Sequence, residues 1–97
     1  MRYIKADKTF DGYVQPKDSK QVSLEEMQKY VGGTIDMITL PSGRIMVIND
    51  EGALDGLPVN EEATKIWLEE FPLDQYPHNN AGQIVGDILI ATSNEIE

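Results

Sequence analysis

The alternation of apolar and polar positions is strongest between residues 34 and 52. Thr34–Leu40 and Arg44–Asn49 are two runs rich in β-branched and apolar side chains, joined by Pro41-Ser42-Gly43. That spacing predicts a β-hairpin. The second run contains Ile45-Met46-Val47-Ile48, apolar at four consecutive positions, so both of its faces should be covered, as in a central strand. Ile84–Ala91 (IVGDILIA) is a second run apolar on both faces and predicts another interior strand. Gly86 inside it suggests a bulge, or close approach by another backbone or a ligand. Near the start, Arg2–Phe10 and Tyr13–Gln15 flank Asp11-Gly12, a pair suited to a type I′ turn, and predict an N-terminal hairpin. Its thin apolar content and Pro16 suit edge strands.

Two stretches carry helical spacing. Ser23–Val31 opens with a capping box, Ser23 with Glu26, and Val22 and Met27 are placed for a hydrophobic staple. Leu24, Met27 and Val31 form its expected buried stripe, with Tyr30 beside it, and Gly32-Gly33 stops it with one glycine in the left-handed position. About nine residues are too few to hold a helix alone in water, so it must pack on the sheet. The second helix is Asn60–Phe71: Asn60 caps it, Glu61 and Glu62 suit the positive end of its dipole, and Pro72 ends it. Ala63, Ile66, Trp67 and Phe71 share one face. Pro16–Gln21 is a polar link, Asn49–Gly52 a turn and Ala53–Val59 an irregular connection. Pro72–Gln83 is a polar loop expected to be the most mobile part, and Thr92–Glu97 an expected frayed tail. The order β-β-α-β-β-α-β predicts an α+β fold, a mixed and mainly antiparallel sheet with two helices packed against it.

Composition narrows the function classes. The chain has 97 residues, one domain with little room for a deep catalytic cleft in a monomer. It has no cysteine and one histidine, which excludes a disulfide framework, a thiol nucleophile and a usual zinc site. No apolar run approaches a membrane span and the N-terminal residues lack an apolar signal core, so a cytoplasmic protein without membrane association is expected. Seventeen acidic residues against eight basic ones leave a net charge of −9, which argues against direct nucleic-acid binding. The excess suits solubility, or carboxylates that imitate a phosphate backbone.

Candidate chemistry is sparse. His78 lies in the Pro/Asn-rich loop with no nucleophile motif near it in sequence. Asp36, Asp50, Glu51, Asp55 and Asp87 could supply an acid–base pair, but Asp50-Glu51-Gly52 lacks the alternating spacing of a calcium loop, and turn formation explains these acids as well. No metal or cofactor is implied. Gly32, Gly33, Gly52, Gly56 and Gly86 leave N–H groups open near element ends, where nests for anions form, and Asn60 opens a helix of the same polarity. Neither G-x-G-x-x-G nor a P-loop is present. Tyr3, Tyr13, Tyr30, Trp67 and Tyr76 could stack on a base, although Trp67 on an apolar helical face suits the core.

The motifs Val31-Gly32-Gly33, Asn49-Asp50-Glu51-Gly52, Leu57-Pro58-Val59-Asn60-Glu61-Glu62-Ala63-Thr64 and Val85-Gly86-Asp87 occur in that order. Over about Leu24–Ala91 the chain resembles the small proteins of domain of unknown function 3846. The resemblance implies a small cytosolic accessory protein from phages and gut metagenomes with no evident catalytic set. Many such proteins act against host defence by binding.

The expectation is a non-enzymatic anti-defence protein that sequesters a nucleotide-like signal, in a pocket of glycine turns at a subunit boundary of a homo-oligomer in the host cytosol. Gly32, Gly33, Arg44, Asn49, Gly52, Asn60, Lys65 and Gly86 are its candidate ligand-binding residues, with Lys29 a further cation. One alternative is an acidic decoy that occupies a basic groove on a host defence or nucleic-acid-binding protein. The other is a small hydrolase built on the Asp36, Asp50, Glu51 and Asp87 carboxylates.

Overall fold

Two hairpins joined by one late strand build the sheet. The computed structural model describes residues 1–16, 21–51, 56–71 and 83–96. The strands are β1 (Arg2–Ile4), β2 (Asp11–Tyr13), β3 (Ile35–Thr39), β4 (Ile45–Asn49) and β5 (Ile88–Ala91), and the helices α1 (Leu24–Val31) and α2 (Glu61–Glu70). The sheet order is β2-β1-β5-β4-β3, and every strand pairing in it is antiparallel. The order β-β-α-β-β-α-β is the expected one.

Successive strand residues point to opposite faces, and this sorts the core into two layers. Met46, Ile88 and Ile90 pack on one face against Ala63, Ile66 and Trp67 of α2. Val47, Leu89 and Ala91 pack on the other against Met27 and Val31 of α1. The helices therefore cover opposite faces, and this is why two strand runs are apolar on both faces. All four β5 residues are buried, as are Met46 and Val47 of β4. The centre of the sheet is β5; β4 lies one place out, between β5 and β3.

The central hairpin turns at Pro41-Ser42-Gly43 as predicted, with Leu40 N–H donating to Arg44 O (2.7 Å) and Gly43 N–H to Leu40 O (2.8 Å). The N-terminal hairpin differs from expectation. Asp11 and Gly12 lie inside β2, paired with Ile4 and Tyr3, and the turn is made by residues 5–10. Lys5 N–H donates to Phe10 O, and Asp7 accepts from the N–H and hydroxyl of Thr9, while Lys8 takes a left-handed φ of +67°. Gly12 is needed for closeness instead: a Cβ there would lie 3.2 Å from the Phe10 ring. Only β2 is an edge strand of this pair; β1 is interior.

Three further expectations change. Leu24, placed in the buried stripe, is 54% exposed, because it starts a helix only eight residues long whose inward face is Met27 and Val31. Ile84–Ala91 is not one strand: Val85 bridges Val59, the chain bends at Gly86, and β5 begins at Ile88. The segment after β5 is tied down as far as Ile96. Ser93–Glu95 form a 3₁₀ turn capped by Thr92, Ile96 bridges Val22, and Glu95 Oε2 lies 2.5 Å from the Met1 amine. Residues 72–82, with His78, and Gly52 and Asp55 lie outside the described residues.

Candidate functional site

Asn60 is 1% exposed, and every bond it makes holds the fold. Its Oδ1 accepts from Ala63 N–H (3.1 Å), the expected helix cap. Its Nδ2 donates to Ile4 O (3.0 Å) and Gly86 O (2.9 Å), which joins α2 to β1 and to the bend before β5. Around it, Asn60 N–H donates to Ile84 O and Gly86 N–H to Pro58 O, while Thr64 Oγ1 accepts from Ile84 N–H (2.9 Å). Gly86 has φ +79°, and a Cβ there would lie 2.8 Å from Leu57 Cδ1. The atoms that crowd this glycine belong to the Leu57 side chain, where another backbone or a ligand was expected.

A second knot closes the far end of α1. Gly32 takes the left-handed cap position, and its N–H and that of Gly33 both donate to Gln28 O. The last carbonyls of the helix find side chains: Asn49 Nδ2 donates to Val31 O (3.3 Å), and the Tyr3 hydroxyl to Tyr30 O (3.1 Å). Asn49 Oδ1 accepts from Glu51 N–H (2.9 Å). The same Tyr3 hydroxyl is 3.4 Å from Asp87 Oδ2, while Asp87 Oδ1 accepts from Ala6 N–H (2.9 Å). Burial, then the neighbouring Asp87, pushes the Tyr3 phenol up to about 12. Gly33 sits against the Asn49 amide, 3.0 Å from where a Cβ would project.

The predicted site residues therefore fall into separate places. Gly32, Gly33 and Asn49 come together at one knot, Asn60 and Gly86 at the other, and the N–H groups of Gly32, Gly33 and Gly86 all donate within the fold. Arg44 sits apart, its Nη2 2.7 Å from Glu70 Oε2, and Ser42 N–H and Oγ also donate to that carboxylate (2.9 Å each). Burial pushes Glu70 up, but these donors outweigh it and hold the carboxyl below its ordinary range. This clamp ties the β3–β4 turn to the end of α2.

Lys65 and Asn60 open onto a different feature, a cleft of about 360 Å³ between the 5–10 turn and the first turns of α2. Lys5, Lys8 and Lys65 line it, with Phe10, Glu61 and Glu62. Among the described residues neither Lys5 nor Lys65 forms an ion pair. Lys8 Nζ pairs with Glu61 Oε2, which holds the Glu61 carboxyl below its usual range. Arg2 binds Asp11 through two parallel bonds of 2.9 Å and stands 3.6 Å from Glu62, and Asp11 is likewise lowered. Phe10 is 42% exposed, its ring 5.8 Å from that of Tyr3. Three of the chain's eight basic residues thus line one cleft, beside the carboxylates of Asp11, Glu61 and Glu62, in a protein with net charge −9. Lys5, Lys8 and Phe10 escape a sequence reading that places them in a strand; the recurrence of lysine at 5 and 8 beside Phe10 is the available signal.

The family model of Domain of unknown function (DUF3846) matches residues 1–97. The chain belongs to this family. The match takes in the N-terminal hairpin as well as the stretch from Leu24 to Ala91. No curated protein and no solved structure matches the chain. The four motifs that carry the DUF3846 likeness map onto the two knots: Val31-Gly32-Gly33 meets Asn49 at one, and Leu57, Asn60, Ala63 and Thr64 meet Ile84 and Gly86 at the other. Among the described residues no group of three or more acidic or histidine side chains could hold a metal ion, and no helix is long and apolar enough to cross a membrane.

Proposed function

We propose that this protein is a non-enzymatic binding protein that sequesters a small nucleotide-like anion in the cleft between the 5–10 turn and α2. The carrying observation is that Lys5 and Lys65, neither in an ion pair among the described residues, both line a cavity of about 360 Å³. An unpaired ammonium group is a ready point charge for a phosphate, and the half-exposed Phe10 ring offers a flat apolar wall for a base. The volume lies in the range of small-ligand sites and suits a mononucleotide. In an anti-defence setting, such a protein would lower the free concentration of a nucleotide signal in the cytoplasm. The decoy reading draws less support, since Glu25 and Glu26 on α1 and Glu61 and Glu62 on α2 lie on opposite layers of the fold. So does the hydrolase reading: Asp87 is engaged by Ala6 N–H and Asp50 by the Thr34 hydroxyl.

Isothermal titration with ADP and with cyclic mononucleotides tests the proposal. One equivalent should bind with a micromolar Kd, and Lys5→Ala with Lys65→Ala should weaken it at least tenfold without moving the urea midpoint. Absence of binding at millimolar ligand overturns the reading.

A further inference from the structure

Lys8 is the third cation of the cleft, and unlike Lys5 and Lys65 it has a partner. Its backbone is held in the left-handed region, φ +67°, at the tip of the 5–10 turn. The turn is braced from within by Lys8 N–H to Lys5 O (3.2 Å), Lys5 N–H to Phe10 O (2.9 Å) and the Asp7–Thr9 bonds. This fixed stem projects the side chain to Glu61, the first residue of α2. Both residues line the cavity, and both side chains are more than half exposed, 71% and 66%, so the pair spans the rim from turn to helix. An exposed pair of flexible side chains is weak and readily exchanged.

The geometry points to Glu61 as a built-in stand-in for the ligand's anionic group, a latch that closes Lys8 off until a phosphate takes its place. This rests on the binding reading above. When an anion enters, Lys8 exchanges one oxyanion for another while Lys5 and Lys65 supply new contacts, and the Glu61 carboxylate turns out to water. The exchange costs Lys8 no desolvated state, because it is paired before and after. It also sets a threshold: a single weak carboxylate ligand gains nothing over Glu61, whereas a diphosphate, with more charge and more oxygens, engages three lysines at once. The latch therefore selects for polyanions over monocarboxylates.

A double-mutant cycle with ADP as the probe tests this. Glu61→Gln should tighten binding about three- to fivefold in the native background and less than twofold in the Lys8→Ala background, since the gain comes from releasing Lys8. Glu69→Gln, which removes the same charge from α2 outside this cleft, controls for the general field and should change Kd less than twofold. An equal gain from Glu61→Gln in both backgrounds shows only charge relief and overturns the latch while leaving the site intact. Failure of the native protein and every variant to bind ADP overturns site and latch together. Both residues are exposed, and unchanged circular dichroism confirms that the variants are folded.

Discussion

Asn60 and Asn49 are both buried, both sit beside a glycine and both serve helix ends, yet they are built for different loads. Asn60 stands at the start of α2 and uses one side chain to join three segments: its own helix through Ala63, β1 through Ile4 and the bend through Gly86. Asn49 stands at the end of β4 and joins two, the last turn of α1 and its own following turn. The first has short bonds of 2.9–3.1 Å, the second a 3.3 Å bond to Val31. A helix N-terminus needs an acceptor, and Asn offers one while keeping two donors for elsewhere. A helix C-terminus needs donors, and there Asn49 shares the task with Gly32, Gly33 and Tyr3. The first knot centres on one side chain; the second is distributed.

The sharpest test is Asn60→Ala. It removes a cap and orphans two buried carbonyls, and should cost about 3 kcal/mol in urea unfolding. Asn60→Asp keeps the cap oxygen but sets an acceptor against Ile4 O and Gly86 O; native-like stability in that variant would break the account. Gly86→Ala comes next, at about 2 kcal/mol, from a left-handed Ala and displacement of Leu57. Asn49→Ala should cost only about 1 kcal/mol, since the remaining caps hold α1. A loss equal to that of Asn60→Ala would show that the two knots carry the same load. The smallest effect is of pH. Asp11, Glu70 and Glu95 have folded pKa values below their unfolded ones, held there respectively by Arg2, by Ser42 and Arg44 against burial, and by the Met1 amine. Their contribution is therefore complete above about pH 4.5, the unfolded carboxyl range, and is lost as pH falls through the lower folded values. The amide knots do not titrate, so the gap between Asn60→Ala and Asn49→Ala should be the same at pH 7 and pH 5.

Local rules were enough for part of this. Ser23, Gly32, Asn60 and the Pro41-Ser42-Gly43 turn announce themselves, because a cap or tight turn is decided within four or five residues. Asp11-Gly12 misleads for the opposite reason. Its turn propensity yields to the Arg2–Asp11 bonds and the Phe10 ring over Gly12, neither visible in the dipeptide. The apolar run from Ile84 hides its bend because Ile84 and Val85 remain apolar while serving Asn60 and Val59, and only Gly86 hints at the change. The cleft was the least legible feature. Asn60 and Lys65 are readable as helix residues, but Lys5 and Lys8 join them only through the β1–β2 turn, which the pattern runs through as strand.

The place of β5 in the sheet also governs how the protein is made. Each hairpin closes over a few residues, but β1 and β4 meet only through β5, where Arg2 pairs with Ile90 and Val47 with Leu89. Closing a loop from residue 2 to residue 90 carries an entropic cost of roughly 4 kcal/mol before any contact is gained. A nascent chain that ends before Ile88 therefore lacks the strand that joins its two hairpins into one sheet. Folding waits for the final strand to be synthesised and then proceeds at the slower pace of long-range sheet topologies.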